Sequence, residues 1–438
     1  MTTRKYVAGV DTSTQSCKIV IVDPVDGRVV REGRAAHPDG TEVDPAAWWE
    51  AFLRAVAEAG GLDDVAALSV SGQQHGMVCL DRDGQVIRPA LLWNDTRSAQ
   101  AATDLVDELG AERWAELTGS VPVASLTVTK LRWLADHEPE HAKRIAAICL
   151  PHDWLTWQIA GAPGLDRLVT DRSDASGTGY MSRSEAAYLP ELLALALRRD
   201  DVSDIVLPRI LGPWEAAGTG DPARGWEGIV LGPGTGDNAG AALGVGLEPG
   251  QALLSLGTSG VAAVVSENSV VDRSGLVTGF SDATGRWLPL ACTLNASRII
   301  DAIARILGVD YAEFDRLALS VPDAGGLVLE PYFEGERTPN LPDATATLSG
   351  MTLANSDPAH LARAGIEGLL NLMRFALDAV RQLGVPIDTV YLVGGGAKSK
   401  AVRELAGEFL GAKVQALPDG EYVALGAARQ AQQVLAQN

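Results

Sequence analysis

A glycine-rich run at residues 231–246, LGPGTGDNAGAALGVG, contains one ionised side chain, that of Asp237. The apolar residues before the run predict a buried strand, and the small residues after Asp237 predict the start of a helix. A strand, a glycine turn and a helix start gather several backbone N–H groups around one point, which suits a phosphate group. Asp237 would stand beside that phosphate, where phosphoryl transfer needs a base.

Two other interpretations of this run stay open. Residues 234–239, GTGDNA, match the G-x-G-x-x-G/A pattern of dinucleotide-binding folds, but that pattern is completed by an acid about twenty residues later. Residues 254–260, LSLGTSG, occupy that place and contain no carboxylate. The run could also be a purely structural glycine turn. A P-loop is excluded as the phosphate-binding device, because the sequence has no G-x-x-x-x-G-K-S/T motif.

The strand–turn–strand pattern near the N-terminus returns in the second half of the chain. Residues 11–16, DTSTQS, and residues 257–260, GTSG, are hydroxyl-rich turns, and each lies between two apolar segments that predict strands. We therefore predict an internal duplication in which the two turns hold the ends of a triphosphate. Two ordinary hairpins would produce the same pattern.

Polar side chains follow two predicted strands in the first half of the chain. Gln74 and His75 follow one of them, and Asp95 and Arg97 follow the other. Because ligands of open α/β sheets usually bind beyond strand ends, we predict a polar ligand pocket here. His75 taken alone could equally be a satisfied core or turn histidine.

Two further segments are marked by their glycines. Residues 390–396 predict a strand that ends in three glycines, which lets a flat ring or a ribose approach the backbone closely. Residues 161–184 are rich in Gly, Asp and Ser and predict a loop or an edge hairpin.

Composition restricts the class of protein. The chain has 438 residues, 46% of them hydrophobic, which is enough for two or more domains with their own cores. A net charge of −20, from 56 acidic and 36 basic residues, argues against nucleic acid or an anionic membrane as a partner. An anionic small molecule would need Mg²⁺ and backbone amides to neutralise it.

The cysteines and the N-terminal residues indicate a reducing compartment. Cys17, Cys79, Cys149 and Cys292 are far apart and each adjoins apolar residues, which predicts buried reduced thiols. No apolar leader segment and no run of about eighteen apolar residues occurs. We therefore expect a soluble, cytoplasmic protein.

A series of motifs along the chain resembles one known family. In chain order they are Gly72-Gln73-Gln74-His75-Gly76, Leu92-Trp93-Asn94-Asp95, Lys130-Leu131-Arg132-Trp133-Leu134, Gly236-Asp237-Asn238, residues 254–260, Gly335-Glu336-Arg337-Thr338-Pro339 and residues 424–429, ALGAAR. Their order and spacing together resemble the FGGY carbohydrate kinases over essentially the whole chain, and among these the kinases of the keto-pentose D-xylulose. The resemblance implies an α/β fold of two actin-like (RNase H-like) domains with a ligand cleft between them. Residues 1–243 would bind the sugar and carry the base, and residues 244–438 would bind the nucleotide.

The resemblance also implies a role for each candidate residue. ATP would give its γ-phosphate to the keto-pentose, most simply D-xylulose, forming D-xylulose 5-phosphate. Asp237 would be the catalytic base, and Asp11 would hold Mg²⁺ together with Asp237. No nucleic acid or membrane partner is implied, and a homodimer stays open. The sugar pocket would contain Gln74, His75, Asp95 and Arg97, and the ATP contacts would be Thr14, Gly257, Thr258, Gly395 and Gly396.

The chain departs from the family pattern at two binding loops. Ser13 replaces a usual glycine, and Gln74 replaces a methionine common in kinases of D-xylulose. The chain also ends soon after Arg429, where relatives often carry a further helix. Alternative substrates are therefore ribulose, another ketose or a polyol. An actin-like ATPase and a sugar-binding regulator are the non-kinase alternatives, and the presence of both Asp11 and Asp237 favours a kinase.

Overall fold

The computed structural model of the protein describes residues 4–437, which fold into two compact α/β units. Unit 1 runs to Gly246 and also takes in Gly279–Trp287 and the C-terminal segment from Glu421 onward. Unit 2 consists of Leu247–Thr278 and Leu288–Gly420. None of the helices within residues 4–437 combines the length and the hydropathy that crossing a bilayer requires.

The strands and helices up to Gly246 include every element that carries a candidate residue of unit 1. The strands are β1 (Tyr6–Thr12), β2 (Ser16–Val22), β3 (Val29–Ala36), β4 (Glu42–Val43), β5 (Val65–Gly72), β6 (Val78–Leu80), β7 (Ala90–Leu91), β8 (Ala147–Cys149), β9 (Val169–Thr170), β10 (Arg209–Ile210), β11 (Gly218–Thr219), β12 (Val230–Leu231) and β13 (Thr235–Gly236). The helices are α1 (Pro45–Glu58), α2 (Ala99–Leu109), α3 (Ala111–Thr118), α4 (Thr127–His137), α5 (Pro139–Arg144), α6 (Pro151–Ile159), α7 (Arg172–Ala175), α8 (Pro190–Leu197) and α9 (Asp237–Val245).

The remaining elements form unit 2 and the end of unit 1. The strands are β14 (Gln251–Leu256), β15 (Gly260–Val264), β16 (Thr278–Ser281), β17 (Trp287–Thr293), β18 (Val328–Glu330), β19 (Thr347–Ser349), β20 (Thr389–Val393) and β21 (Lys413–Ala416). The helices are α10 (Ser297–Leu307), α11 (Tyr311–Leu319), α12 (Pro358–Gln382), α13 (Lys400–Leu410) and, within unit 1, α14 (Tyr422–Gln437).

The main sheets of the two units repeat one topology. In unit 1 the order is β11-β12-β5-β1-β2-β3, with β1, β2 and β3 antiparallel in sequence and β5 parallel to β1. In unit 2, β17-β15-β14 are likewise antiparallel, and β20 and β21 continue the sheet in parallel beyond β14. This repetition confirms the predicted duplication, because each hydroxyl-rich turn joins the central strand of its sheet to an antiparallel neighbour.

Strand register brings the candidate loops of unit 1 to one edge. Thr12 of β1 pairs with Gly72 of β5, and Gly72 pairs in turn with Gly236 of β13. All three strands are parallel, so the residues that follow them leave the sheet at the same level. Asp237 is the first of these residues after β13.

Helix α1 shows how local sequence sets the elements that support this sheet. Asp44 accepts a hydrogen bond from the Ala46 N–H at 2.9 Å, and Pro45 occupies the first turn, where its missing N–H costs nothing. Trp48 and Phe52 lie four residues apart and are fully buried in the core that also contains β1 and β2. Burial of each of these aromatic side chains contributes about 1.5–3 kcal/mol to the hydrophobic stabilisation of the fold.

Two parts of the fold differ from the sequence-based expectations. Residues 161–184, expected as a loop or an edge hairpin, contain strand β9 and the short helix α7. Helix α14 was not predicted, and it packs against α9, β1 and β5. Its contacts are backbone to backbone: a Cβ on Gly244 would lie 1.8 Å from the Tyr422 carbonyl oxygen, and one on Gly426 would lie 1.9 Å from the Gly240 carbonyl oxygen.

Gly244→Ala should therefore destabilise the protein, although alanine normally favours a helix. The new methyl group would force α9 and α14 apart, and we expect the free energy of unfolding to fall by about 1–3 kcal/mol. Gly407→Ala in α13 is the matched control, since a Cβ there meets no atom within 4 Å. The free energy of unfolding of this variant should rise by about 0.5–1 kcal/mol, because alanine favours a helix over glycine. Denaturation of both variants beside the wild type measures the difference, and a G244A variant as stable as G407A would contradict the close helix contact.

Candidate active site

Asp237 is the first residue of helix α9, where backbone N–H groups without helical partners create a partial positive charge. Its carboxyl group is partly exposed. Removal from bulk water, and secondarily the negative charge of Asp11, raise the pKa of Asp237 to about 7. A carboxylate with such a pKa can accept a proton near neutral pH far better than an ordinary aspartate.

The orientation of Asp237 is fixed by its neighbour and by Gln74. The backbone N–H and the side-chain amide of Asn238 both donate to Asp237 Oδ1, at 2.8 and 2.9 Å. The same Asn238 amide donates to Gln74 Oε1 at 2.9 Å. Gln74 packs closely on the turn, because a Cβ on Gly236 would lie 2.8 Å from its Cγ. The structure thus brings Gln74 and Asp237 together through one amide.

Asp11 lies on β1 opposite Lys18 of β2 in the strand register. Lys18 Nζ is 3.8 Å from Asp11 Oδ2 and 2.6 Å from Glu421 Oε2, and the Ser13 hydroxyl donates to Asp11 Oδ1. Burial raises the pKa of Asp11, against the opposing effects of Ser13 and Lys18. Lys18 was missed in the sequence because its position beside Asp11 depends on the pairing of the two strands.

The donor set around Asp11 and Asp237 fits a hard cation. Both groups are carboxylates, and carboxylate oxygens are ligands that Mg²⁺ prefers. No group of three or more His, Cys, Asp or Glu residues within residues 4–437 forms a metal cage. Mg²⁺ usually keeps several waters and binds one or two carboxylates plus substrate phosphates, so the two carboxyl groups of Asp11 and Asp237 fit the number of protein ligands that this ion commonly takes.

Thr14, expected at the ATP phosphates, lies in the turn between β1 and β2. Its hydroxyl accepts a hydrogen bond from Trp93 Nε1 at 2.8 Å. Trp93 retains 42% of its surface exposed, which is unusual for so large an apolar side chain. The turn after β1 and the loop after β7 therefore meet at one exposed aromatic face.

His75 follows Gln74 in a left-handed backbone conformation, with φ 69°. Its Nδ1 lies 2.8 Å from the Gly177 carbonyl oxygen, so Nδ1 carries a proton and donates it. The centroid of the His75 ring lies 5.4 Å from that of the Phe280 ring. The backbone carbonyl of His75 accepts a hydrogen bond from Thr127 Oγ1 at 3.1 Å. Positive φ is uncommon for a residue with a side chain, and these contacts hold His75 in that conformation.

Asp95 is buried and forms an ion pair with the exposed Arg97, with an Nε–Oδ1 distance of 2.8 Å. Thr41 Oγ1 donates to the other Asp95 oxygen at 2.7 Å, and Arg97 Nη2 also reaches Glu42 at 2.7 Å. Burial acts to raise the pKa of Asp95, but the hydrogen bonds from Arg97 and Thr41 outweigh it and the pKa is lowered. Asp95 is therefore an ionised acceptor, and the charge of Arg97 is largely compensated by two carboxylates.

Apart from Thr14, the candidate nucleotide residues lie in unit 2, at the ends of β14 and β20. Gly395 and Gly396 line a cavity of about 540 Å³ together with Ser297, Tyr311 and Asp315. A cavity of this size accommodates a small-molecule ligand such as a nucleoside. Gly394 has φ 90°, and a Cβ there would lie 2.9 Å from the Leu256 backbone.

Gly257 and Thr258 form the turn that follows β14 and are not among the residues that line this cavity. Their carbonyl oxygens accept from Ser297 N at 2.8 Å and from Ala296 N at 3.0 Å. The turn is thus tied to the start of α10, and Ser297 links it to the cavity wall.

The comparisons with known proteins agree with this arrangement. Residues 6–244 match the family model for the N-terminal domain of the FGGY family of carbohydrate kinases, and residues 252–433 match the model for the C-terminal domain. A curated relative named xylulose kinase, from Streptomyces coelicolor, is 45% identical over 97% of this chain and 87% of its own. Another of that name, from Streptomyces rubiginosus, is 43% identical with the same coverage.

A solved structure extends the similarity to the fold. The crystal structure of xylulose kinase from Bifidobacterium adolescentis has a TM-score of 0.94 and 52% identity, covering 99% of this chain and 94% of that one. With the repeated sheet topology, this confirms the predicted fold of two α/β domains.

Asp237→Asn should stabilise the ligand-free protein at high pH. The unfolded Asp237 side chain ionises near pH 3.9 and the folded one near pH 7. Between these values the unfolded chain has released its proton while the folded protein still holds it, so stability falls as pH rises. The free energy of unfolding of D237N minus that of the wild type should therefore be roughly 1–3 kcal/mol larger at pH 8 than at pH 5.

Thermal denaturation of the two proteins at both pH values measures this gain. Asp200→Asn is the control, because it removes one carboxylate from an exposed position. A D237N gain that is independent of pH, or matched by D200N, would show that Asp237 ionises normally in the folded protein.

Proposed function

We propose that this chain, which belongs to the FGGY family of carbohydrate kinases, transfers the γ-phosphate of ATP to D-xylulose and forms D-xylulose 5-phosphate. The sugar is inferred from the relatives at 43–52% identity that bear the name xylulose kinase, and these align over nearly the whole chain. The observation that carries the chemistry is the partly buried Asp237 carboxyl, with a pKa of about 7, at the start of α9.

Asp237 is assigned as the base for the attacking hydroxyl. A sugar hydroxyl is a weak nucleophile, and in phosphoryl transfer the protein acts mainly by positioning, neutralising charge and removing one proton. Asn238 fixes Asp237 Oδ1 through two hydrogen bonds, which leaves Oδ2 to accept the proton. The N-terminus of α9 stabilises the negative charge that the transferred phosphate carries.

Asp11, with Asp237, would hold Mg²⁺, which supplies charge neutralisation at the phosphates when it is bound. Lys18 adds a positive charge 3.8 Å from Asp11. Thr14 is assigned to the phosphates through its hydroxyl. In unit 2, Gly257 and Thr258 are assigned to the phosphates of ATP, and the cavity beside Gly395 and Gly396 to its adenosine end.

The sugar is assigned to the groups that follow β5 and β7. His75 offers an oriented imidazole, Asp95 an ionised acceptor and Gln74 an amide already linked to the Asp237 loop. Hydrogen-bonding pockets of this kind reject analogues that lack a hydroxyl, because a buried polar group is then left unpaired at a cost of about 1–3 kcal/mol. Arg97 holds Asp95 in place and keeps it ionised.

ADP release should depend on D-xylulose and should exceed the release seen with ribulose, glycerol or gluconate. The measurement is a coupled assay with ATP and Mg²⁺, with each sugar or polyol added in turn, and phosphorus NMR of the product identifies the esterified hydroxyl. Equal rates with and without sugar would support an ATPase instead. Higher kcat/KM for another ketose or polyol would replace D-xylulose as the substrate.

Asp237→Asn should lower kcat by roughly 10²–10⁴, because the amide keeps the shape of the side chain but cannot accept the proton. The KM for ATP should stay within about twofold, since the phosphate-binding amides are unchanged. Steady-state kinetics at saturating sugar measures both values. Turnover by D237N within a few-fold of wild type would remove Asp237 from the role of base.

His75→Ala should raise the KM for the sugar by roughly 10-fold or more and leave the KM for ATP nearly unchanged. The expected loss corresponds to one sugar hydrogen bond at about 1–3 kcal/mol. His75→Gln is the companion variant, because its side-chain amide restores a hydrogen-bonding group at this position. Equal effects on the two substrates would place His75 outside the sugar pocket.

A further inference from the structure

His152 lies beneath the Asp237 loop, with no solvent exposure, at the start of helix α6. A Cβ on Gly234 would lie 2.4 Å from its Nδ1, and one on Gly72 would lie 3.0 Å from its Cβ. The imidazole therefore packs directly on the ends of the strands whose loops carry Asp237 and Gln74. Neither the sequence motifs nor the assigned sugar and nucleotide contacts use this residue.

Three carboxylates surround His152. Its Nε2 is 3.2 Å from Asp153 Oδ1, 3.5 Å from Asp171 Oδ1 and 3.3 Å from Asp174 Oδ2. Burial acts to lower the pKa of His152, but the three negative charges outweigh it and raise the pKa to about 9. The imidazole cation thus offsets part of the negative charge of this cluster, and burial raises the pKa of Asp153 to about 6 and the pKa of Asp174 well above its usual range.

The carboxylates in turn hold the segment Asp171 to Gly177. Asp171 accepts from the backbone N–H groups of Ser173 at 2.7 Å and of Asp174 at 3.1 Å, which fixes the short helix α7. Ser173 Oγ then accepts from the Gly236 N–H at 3.0 Å, one residue before Asp237. At the other end of the segment, the Gly177 carbonyl accepts from His75 Nδ1 at 2.8 Å.

We propose that Ser173 is a positioning residue for phosphoryl transfer, and that His152 and its three carboxylates keep the Asp171–Gly177 segment in the place from which it orients both Asp237 and His75. The role assigned to those two residues rests on the proposed function. Ser173 acts on Asp237 through the Gly236 amide, which it holds at the N-terminus of α9. Gly177 acts on His75 through the imidazole, whose Nδ1 proton it fixes.

Ser173→Ala tests the link to the Gly236 amide. The variant leaves that N–H without its acceptor and lets the Asp237 loop shift, so we expect kcat to fall roughly 10- to 100-fold while the KM for sugar and for ATP stay within about twofold. Ser173→Thr keeps the hydroxyl and should recover most of kcat. Ser176→Ala is the matched control: it removes another buried hydroxyl of the same segment, which accepts from the Ser281 N–H at 3.0 Å and donates to the Ser173 carbonyl at 2.7 Å but does not touch the Gly236 amide.

Hydrogen–deuterium exchange of the ligand-free protein supplies a readout that does not need turnover. Exchange at the Gly236 amide should accelerate in S173A and stay at the wild-type rate in S176A. His152→Gln, which removes the cation, should lower kcat and also raise the KM for the sugar, because both ends of the segment are released.

The outcomes separate the two proposals. An inactive wild type with faster Gly236 exchange in S173A would overturn the kinase assignment and leave the positioning contact intact. An active wild type in which S173A matches S176A in kcat and in exchange would overturn the positioning role. Loss of folding in H152Q would show that the carboxylate cluster needs the imidazole cation, and S173A would then decide the positioning role of Ser173.

Discussion

The pairing of Gly72 with Thr12 on one side and Gly236 on the other is the constraint on which the assigned sugar-and-base site depends. Three parallel strands end at one level because these residues share a register, and a slip of one residue would turn Asp237 to the opposite face of the sheet. Gly72 also leaves no room for a side chain, since a Cβ would lie 3.0 Å from His152 and 3.2 Å from Thr12. The strand ends can therefore come close to α6 only through glycine.

Charge at this edge is balanced by few cations. The chain carries a net charge of −20, and Asp11 and Asp237 each have a raised pKa, so the two carboxyl groups share a poorly hydrated place. Lys18 faces the first, and His152 lies behind the loop of the second. A raised pKa also reduces the negative charge at this edge, because part of the protein population holds a proton on Asp237 near neutral pH.

Local sequence signals predicted the parts of the site that are local in the chain. The glycine spacing around Asp237, the hydroxyl turn after Asp11 and the polar residues after β5 were all recognised, because turn chemistry and strand periodicity are properties of short segments. The positions of Lys18 and His152 depend on which elements pair. Asp171 lies nineteen residues after His152, within the segment 161–184 that was expected to be a loop or an edge hairpin, and no spacing rule connects the two residues.

Helix α14 was missed for a related reason. Its residues are mostly Ala, Gln and Leu, which favour a helix, but the sequence does not say which elements the helix packs against. What decides its place is the close approach of Gly426 to α9 and of Ala424 to Gly9 of β1, a contact between the two ends of the chain. Such packing is visible only when both partners are in place.

That contact has a consequence for biosynthesis. Strand β1 leaves the ribosome roughly 400 residues before α14, so the sheet that carries Asp11 is without one of its covering helices during that interval. At about 5–20 residues per second, synthesis of the intervening chain takes roughly 20–80 s. During that time the face of β1 around Gly9 and the small-residue face of α9 stay open to other apolar surfaces. The nascent chain must therefore complete its first unit after its second, and its exposed interval is set by the rate of elongation rather than by the rate of folding.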